Sequence, residues 1–420
     1  MGRVADRAGG HRRGLSDHRP ARDTGRDTGR DTALVEAGRA DAYTRGPGMA
    51  AGIVNPPVWH ASTILFDNLA ALEAARAHPD QGLFYGRRGT PTQWALEEAL
   101  TALEPGAAGT KLFPSGVAAI AAALLTVVRA GDHILMVDTA YEPSRAFADR
   151  FLKPLGVATT FYPPTADVTP LLRDNTRAIL LESPGSLSFE VQDVPAIVAV
   201  ARARNIAAVL DNTWATPLLF PAMRHGVDFS VQALTKYTGG HSDLMMGSVT
   251  TTAKYWGRLK TKSYLLGYCV GPDDAYLALR GLRTLGLRLD RQGASALTIA
   301  EWLQSHPAVA RVLHPGLPGD PGHALFRRDF TGASGLFAFV LKRGERAQTA
   351  ALIDHLAHFG IGFSWGGYES LILPVELDGI RTATSPDSGG QIIRLSIGLE
   401  DAADLIADLG RGLDRYEAQF

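Results

Sequence analysis

The sequence carries a single cysteine, Cys269, in 420 residues. One thiol excludes an intrachain disulfide and any zinc site built on cysteine, and it fits a reducing compartment such as the cytoplasm. Neither sign of charge is in excess, since 42 Lys and Arg face 43 Asp and Glu. A balance of −1 offers no general attraction to nucleic acid or to an anionic membrane. Long hydrophobic runs are missing as well. The longest, residues 117–128 (VAAIAAALLTVV), is too short to span a bilayer and reads as a buried helix. The histidines show no metal-ligand spacing, and His225 and His241 are expected to pack or hydrogen-bond instead.

What is present describes an enzyme-sized globular chain. With 45% hydrophobic and 20% charged residues, its length fits two or three domains. Residues 1–30 stand apart. They repeat RDT and hold almost no large apolar side chain, so they cannot bury enough surface to offset ordering and are expected to be a disordered extension. Their repeated aspartates argue against a transit peptide, and they lack the apolar run of a secretory signal. Residues 31–88 (with NPPVWHAST and FYGRRGTPT) show little regular pattern and are expected to form an arm that wraps a neighbour.

From about residue 110 to 249 the pattern alternates. Strands are expected at GTKLFPS, HILMVD, TRAILLES, AAVLDN and DFSVQAL, with helices at VAAIAAALLTVVRAG and VPAIVAVARARN between them. Nearly continuous apolar strands separated by helices predict an α/β domain with a mostly parallel sheet covered on both faces. The C-terminal third changes to ALTIAEWLQSHPAV as helix, GLFAFVL and IIRLSIGL as strands, and EDAADLIADLGRGLDRY as the last helix. That predicts a smaller α+β domain. The expected division is an arm at 31–88, a large domain at 89–284 and a C-terminal domain at 285–420.

Ligands on such sheets sit outside the carboxyl ends of the strands, and two charged residues fall there. Asp211 ends AAVLD, and Lys236 follows DFSVQALT 25 positions later. A lysine amine can form a Schiff base with pyridoxal 5'-phosphate (PLP), and a carboxylate can keep the pyridine nitrogen protonated, making the ring an electron sink. Phe113-Pro114-Ser115-Gly116-Val117 turns from strand into helix, which exposes N–H groups suited to a phosphate, although a plain turn would look the same. Tyr85, Arg87 and Arg88 lie in the irregular arm, where guanidinium groups serve as a phosphate fork or as surface charge. Tyr141 follows HILMVD, placed either to stack on a planar ring or to pack. Arg394 interrupts an apolar strand and needs an anionic partner, either a substrate carboxylate or a structural ion pair.

Taken in order, FYGRRGTPT, FPSGVAA, TAYEPS, LESPGS, LDNTWATP, TKYTGGHSD, GLRTLGLRL, FSWGGYESL and IRLSIGLED resemble the Cys/Met-metabolism PLP-dependent enzymes over residues 31–420. The resemblance implies PLP-dependent transferase fold type I, aspartate-aminotransferase-like. It implies Lys236 as the Schiff-base lysine and Asp211 as partner of the pyridinium nitrogen. Gly116 and Val117 would bind the phosphate through backbone N–H groups, with Thr235 adding a hydroxyl. Tyr141 would stack on the ring, Tyr85 and Arg87 would reach the phosphate of a neighbouring subunit's cofactor, and the two tyrosines would join Lys236 as catalytic residues by tuning proton positions. Arg394 would bind the substrate α-carboxylate, helped by Ser364 and Trp365. Many members carry Ser-X-Thr-Lys before the Schiff base, whereas this chain has Ala233-Leu234-Thr235-Lys236. One missing hydrogen bond weakens cofactor affinity by about 1–2 kcal/mol.

Within the family the motifs stand nearest the bacterial branch that cleaves cystathionine at Cβ. That implies carbon–sulfur β-elimination of a small thioether amino acid to homocysteine, pyruvate and ammonia, in methionine biosynthesis. The implied assembly is a homo-oligomer, a dimer of catalytic dimers, without nucleic-acid or membrane partners. Siblings acting at Cγ are the alternative. Such relatives often carry glutamate before the serine of Ser364-Trp365, where this chain has Phe363; the ring would face a thioether or merely fill the core. A non-catalytic sensor module of the same fold would need an attached DNA-binding domain, and the polar N-terminal thirty residues are too short for one.

Overall fold

The computed structural model describes residues 29–45, 51–384 and 389–420; the expectation for residues 1–30 falls almost wholly outside them. A seven-stranded sheet is built from β1 (Gly109–Phe113), β2 (His133–Val137), β3 (Ala158–Tyr162), β4 (Thr176–Glu182), β5 (Ala207–Asp211), β6 (Phe229–Ala233) and β7 (Gly247–Thr251), in the order β1-β7-β6-β5-β4-β2-β3. The pairs within β3-β2-β4-β5-β6 are parallel, while β7 runs antiparallel to β6 and to β1. The expected parallel sheet is therefore interrupted by one reversed strand. It was missed, along with β3, because GSVTT and ATTFY are rich in threonine and serine and lack an apolar run. Buried, hydrogen-bonded hydroxyls such as Thr110 against Thr250 (2.8 Å) take the place of aliphatic contacts there.

A second sheet holds β8 (Val309–Leu313), β9 (Leu336–Leu341), β10 (Phe359–Ile361), β11 (Ser370–Val375) and β12 (Ile392–Ser396), ordered β10-β11-β12-β9-β8. Only β9 and β12 were legible beforehand. The helix expected at residues 296–309 begins eleven residues earlier and stops at Gln304, and Val309 already belongs to β8. Helix Leu285–Gln304 contributes Ala296, Ile299, Ala300 and Leu303 to the core of this sheet, and helix Ala402–Glu417 contributes Leu405, Leu409, Leu413 and Tyr416. Both sets follow the helical repeat that puts one stripe inward. Each buried leucine contributes about 1.5–3 kcal/mol.

The arm is more regular than expected. It forms helices Arg30–Glu36, Asp41–Thr44 and Leu69–Ala77 and a short turn at Gly86–Arg88. These pieces are too short and too weakly apolar to show a period. The first is held in part from outside, by Arg30 bonded to Asp290 at 2.5 Å.

The apolar run at 117–128 is indeed a buried helix, Gly116–Val127, with Ala119 through Leu124 all buried. Ser115 caps it by accepting from the Ala118 N–H at 3.1 Å. The histidine expectation also holds: His225 stacks on Phe220 at 4.3 Å, and His241 Nδ1 lies 2.8 Å from the Gly239 carbonyl oxygen. No helix among the described residues is long and apolar enough to cross a membrane.

Candidate active site

Strands β1, β2, β4, β5 and β6 bring their carboxyl ends to one edge of the sheet, and the charged residues gather there. Lys236 lies in the turn after β6. Its Nζ donates to Ser364 Oγ at 2.7 Å and sits 5.2 Å from the centre of the Trp365 ring. Burial lowers the Lys236 pKa to about 8; the Arg394 guanidinium pushes in the same direction, and Asp211 opposes. A lysine in this range is a usable base and nucleophile near neutral pH.

Asp211 ends β5. Its Oδ1 accepts from both the N–H (3.1 Å) and the hydroxyl (2.5 Å) of Thr213. That hydroxyl itself accepts from the Ala233 N–H at 2.9 Å, so its only proton is committed to Asp211. Burial raises the Asp211 pKa, while these donors and the Lys236 charge favour its carboxylate form.

Ser364 is brought to Lys236 from the second sheet. It adopts φ 78°, a left-handed conformation that costs a non-glycine residue on the order of 1–3 kcal/mol and is met at functional sites. Two contacts hold it: Arg394 Nη2 donates to the Ser364 carbonyl oxygen at 3.0 Å, and Trp365 packs on Tyr237 with ring centres 5.3 Å apart. The next residue must be glycine. Gly366 has φ 83°, and a Cβ there would come within 3.0 Å of the Tyr237 nitrogen.

Tyr141 sits half-exposed in the turn after β2, its backbone N–H donating to Glu182 Oε2 at 2.7 Å. Burial raises its phenol pKa, with Asp211 and Glu182 adding to the effect and Arg394 opposing it. The turn is tied down through Asp138, which accepts from Arg145, from the Thr382 N–H, and from the Thr384 N–H and hydroxyl at 2.8–3.0 Å.

At the start of helix Gly116–Val127, the first N–H groups have no intrahelical acceptor. Gly116 is packed so tightly against β6 that a Cβ would lie 2.7 Å from that of Ala233. In this chain the alanine of Ala233-Leu234-Thr235-Lys236 closes on the helix end. The Thr235 hydroxyl accepts from the Met246 N–H at 3.0 Å and donates to the Met246 carbonyl at 3.2 Å.

Lys236, Asp211, Tyr141, Ser364, Trp365 and Arg394 are thus linked by direct contact or mutual electrostatics, with Gly116, Val117 and Thr235 around the same β6 end. Tyr85 and Arg87 are placed differently. Arg87 Nη1 donates to the Tyr264 carbonyl at 2.8 Å, and Tyr85 and Arg87 line a separate cleft of about 240 Å³ with Trp59 and Cys269. Phe363 is 91% exposed, which rules out the core reading within this chain. Two residues escaped the sequence reading. Thr213 was signalled by the Asp-x-Thr pattern of a side chain bonding two residues on, and Glu182 lay within LESPGS without a stated role.

These elements define a fold type I, PLP-dependent enzyme. A basic lysine, an acid at the adjacent strand end, a helix N-terminus open to a phosphate and a free guanidinium edge fit that cofactor. The chain belongs to the Cys/Met metabolism PLP-dependent enzymes, whose family model matches residues 31–414. It is 48% identical to the cystathionine beta-lyase of Escherichia coli (strain K12), over 91% of this chain and 97% of that one. It is 41% identical to the L-alanine/L-glutamate racemase of Wolbachia pipientis wMel, over 91% and 96%. The crystal structure of cystathionine gamma synthase from Xanthomonas oryzae pv. oryzae, in complex with aminoacrylate and cysteine, superposes with a TM-score of 0.85 at 33% identity, over 94% of this chain and all of that one.

The depressed lysine carries a pH prediction. Only the neutral amine attacks an aldehyde, so covalent attachment of PLP to the apoprotein should accelerate through pH about 8. Arg394→Gln removes a neighbouring cation and should move that midpoint upward, toward the ordinary lysine value. Stopped-flow absorbance across pH 6–10 (roughly the span that brackets the shifted and ordinary lysine values) checks both.

Proposed function

We propose that this chain is a cystathionine β-lyase, cleaving L-cystathionine to L-homocysteine and an aminoacrylate that water hydrolyses to pyruvate and ammonia. The observation that carries the reading is the Lys236 amine, lowered to about 8 and held by Ser364 between Asp211 and Arg394. When bound, PLP supplies the electron sink that acidifies the Cα–H of an amino acid. The residues of the chain do the rest. Lys236 would attach the cofactor, and Asp211, bonded to Thr213, would pair with its ring nitrogen. The N–H groups of Gly116 and Val117 would receive the phosphate, joined by the Thr235 hydroxyl once it turns from the Met246 carbonyl, and Tyr141 would lie against the ring. Arg394 uses one guanidinium nitrogen on the Ser364 carbonyl, which leaves the rest of its fork for a substrate carboxylate. Once released by the incoming amine, Lys236 takes the Cα proton and delivers it to the departing sulfur as the Cβ–S bond breaks.

The active form in this proposal is a dimer, further paired as a tetramer, in which Tyr85 and Arg87 complete the neighbour's site. Support comes from their place in a cleft apart from Lys236, and from exposed apolar side chains on the arm, on helix Leu285–Gln304 and beside Ser364. These include Leu65, Leu69, Leu287 and Phe363, a larger apolar display than a lone subunit needs. The arm, large domain and C-terminal domain retain the divisions at residues 88 and 284, and the enzyme is placed in the cytoplasm.

Product analysis tests the reaction. A β-lyase converts cystathionine to pyruvate and homocysteine in large excess over 2-oxobutyrate and cysteine. Cleavage at Cγ requires a further proton transfer at Cβ, and the exposed Phe363 ring adds no charge to assist it, while it can pack on a thioether. Phe363→Glu is expected to lower β-lyase turnover. Predominant 2-oxobutyrate would overturn the assignment in favour of a γ-acting enzyme. Racemised alanine with no keto acid would overturn it in favour of chemistry that stops at the Cα proton.

A further inference from the structure

Glu182 is a buried carboxylic acid that the mechanism above does not use. It ends β4 directly across from Asp211, its register partner on β5. Side chains of register partners on adjacent parallel strands leave the same face. Its Oε2 accepts from the Tyr141 N–H at 2.7 Å, its Oε1 accepts from the Ser186 hydroxyl at 2.7 Å, and its own N–H donates to Gln192 Oε1 at 3.1 Å.

We propose that Glu182 is a positioning residue, which fixes the turn carrying Tyr141 against the strand end carrying Asp211. The inference rests on the PLP reading given above and adds to it a residue with no contact to substrate.

The geometry makes Glu182 a neutral tether. Two carboxyls side by side in a buried site do not both ionise readily. Asp211 meets only donors on its Oδ1, the Thr213 N–H and a Thr213 hydroxyl whose proton has no other use, and Lys236 faces it as well. Burial raises the Asp211 pKa, and the two Thr213 hydrogen bonds and the Lys236 charge oppose that rise, so Asp211 is the more readily ionised of the pair. Glu182 meets one fixed donor, Tyr141 N–H, and one hydroxyl, Ser186, that can accept as readily as donate. On protonation of Glu182 the Ser186 hydroxyl turns from donor to acceptor, and Glu182 still accepts from the Tyr141 N–H. Burial, followed by the Asp211 charge, pushes Glu182 up to about 8, against the Ser186 and Tyr141 hydrogen bonds and the Arg381 guanidinium. Arg381 is itself shared with Glu190 at 3.6 Å. The Tyr141 phenol feels both carboxyls, together with Glu142 and the opposing Arg394 guanidinium. The proton on Glu182 thus removes repulsion from Asp211 without removing the acceptor that holds Tyr141.

Three variants of the holoenzyme test this through the pH titration of its visible cofactor absorption, the equilibrium Kd for PLP and the kinetics with cystathionine. Glu182→Ala strips the acceptor from Tyr141. It is expected to shift the midpoint of the spectral titration, to weaken PLP binding several-fold and to lower kcat about tenfold, the scale of one positioning hydrogen bond. Glu182→Gln keeps the molecule neutral and preserves both contacts, with its oxygen toward Tyr141 and its amide toward Ser186. It is expected to restore the midpoint, the Kd and kcat to near the parent values. Glu182→Asp is too short to span both partners and should resemble the alanine variant, which keeps the test decisive should alanine fail to fold. A folded Ala or Asp variant with unchanged midpoint and Kd overturns the proposal. So does a Gln variant as impaired as Ala, because charge and not tethering would then matter. Failure of the parent protein to bind PLP would instead overturn the cofactor reading itself.

Discussion

Lys236→Ala is expected to abolish cystathionine cleavage while leaving a folded protein. Position 236 lies in a turn whose backbone bonds, such as the Gly240 N–H to the Lys236 carbonyl at 2.8 Å, do not involve the side chain. Removing a general acid–base group lowers turnover by about 10²–10⁴-fold, and this variant also loses the covalent link to the cofactor, so the upper end of that range or beyond is expected. Borohydride should no longer fix PLP to the chain, a check by mass spectrometry that is independent of turnover. Retained turnover with a borohydride-reducible linkage would place the attachment at another lysine. The same variant tests whether sites are shared between subunits. Mixed with inactive Arg87→Ala under conditions where subunits exchange, it should regain partial activity, because one site of the hybrid would hold both an intact Lys236 and a neighbour's intact Arg87.

Arg394→Gln is expected to raise KM for cystathionine by about 10²-fold, the loss of a charge-assisted bidentate pair with a carboxylate being worth roughly 2–3 kcal/mol. A smaller fall in kcat should accompany it. Arg394 also holds the Ser364 carbonyl, and Ser364 in turn receives the Lys236 amine. Glutamine can replace the single bond to Ser364 but cannot form a fork, so the KM effect should exceed the kcat effect. An unchanged KM would assign the arginine to holding the Ser364 loop alone. Initial-rate kinetics with cystathionine, alongside the PLP attachment experiment, separate the two roles.

Much of this site is readable in the sequence. Continuous apolar runs ending in Asp211 and just short of Lys236 placed both at carboxyl ends of strands. The small residues of FPSGV marked a strand-to-helix turn. The nine ordered motifs carried the family resemblance, which the family model matches over residues 31–414. The arm and the short strands were harder to see. Arg30–Glu36, Asp41–Thr44 and β10 at three residues are too short for a period to repeat enough times to stand out, and GSVTT hides a buried strand behind hydroxyls.

Lys236, Asp211 and the Gly116 turn were legible because each is a local event, with an apolar period that stops, a charge at its end and a small residue where the backbone must turn. The contacts that make them a working site are not local. Lys236 meets Ser364 across 128 positions, Arg394 reaches back to the same serine, and Glu182 faces Asp211 through the register of two parallel strands joined by a helix. No period or propensity specifies which strand lies beside which, because that choice follows from how helices and sheets share one core. Burial then lowers the lysine and raises the glutamic acid, since a pKa responds to the solvent and charges around a group. Those surroundings exist only once the chain has folded.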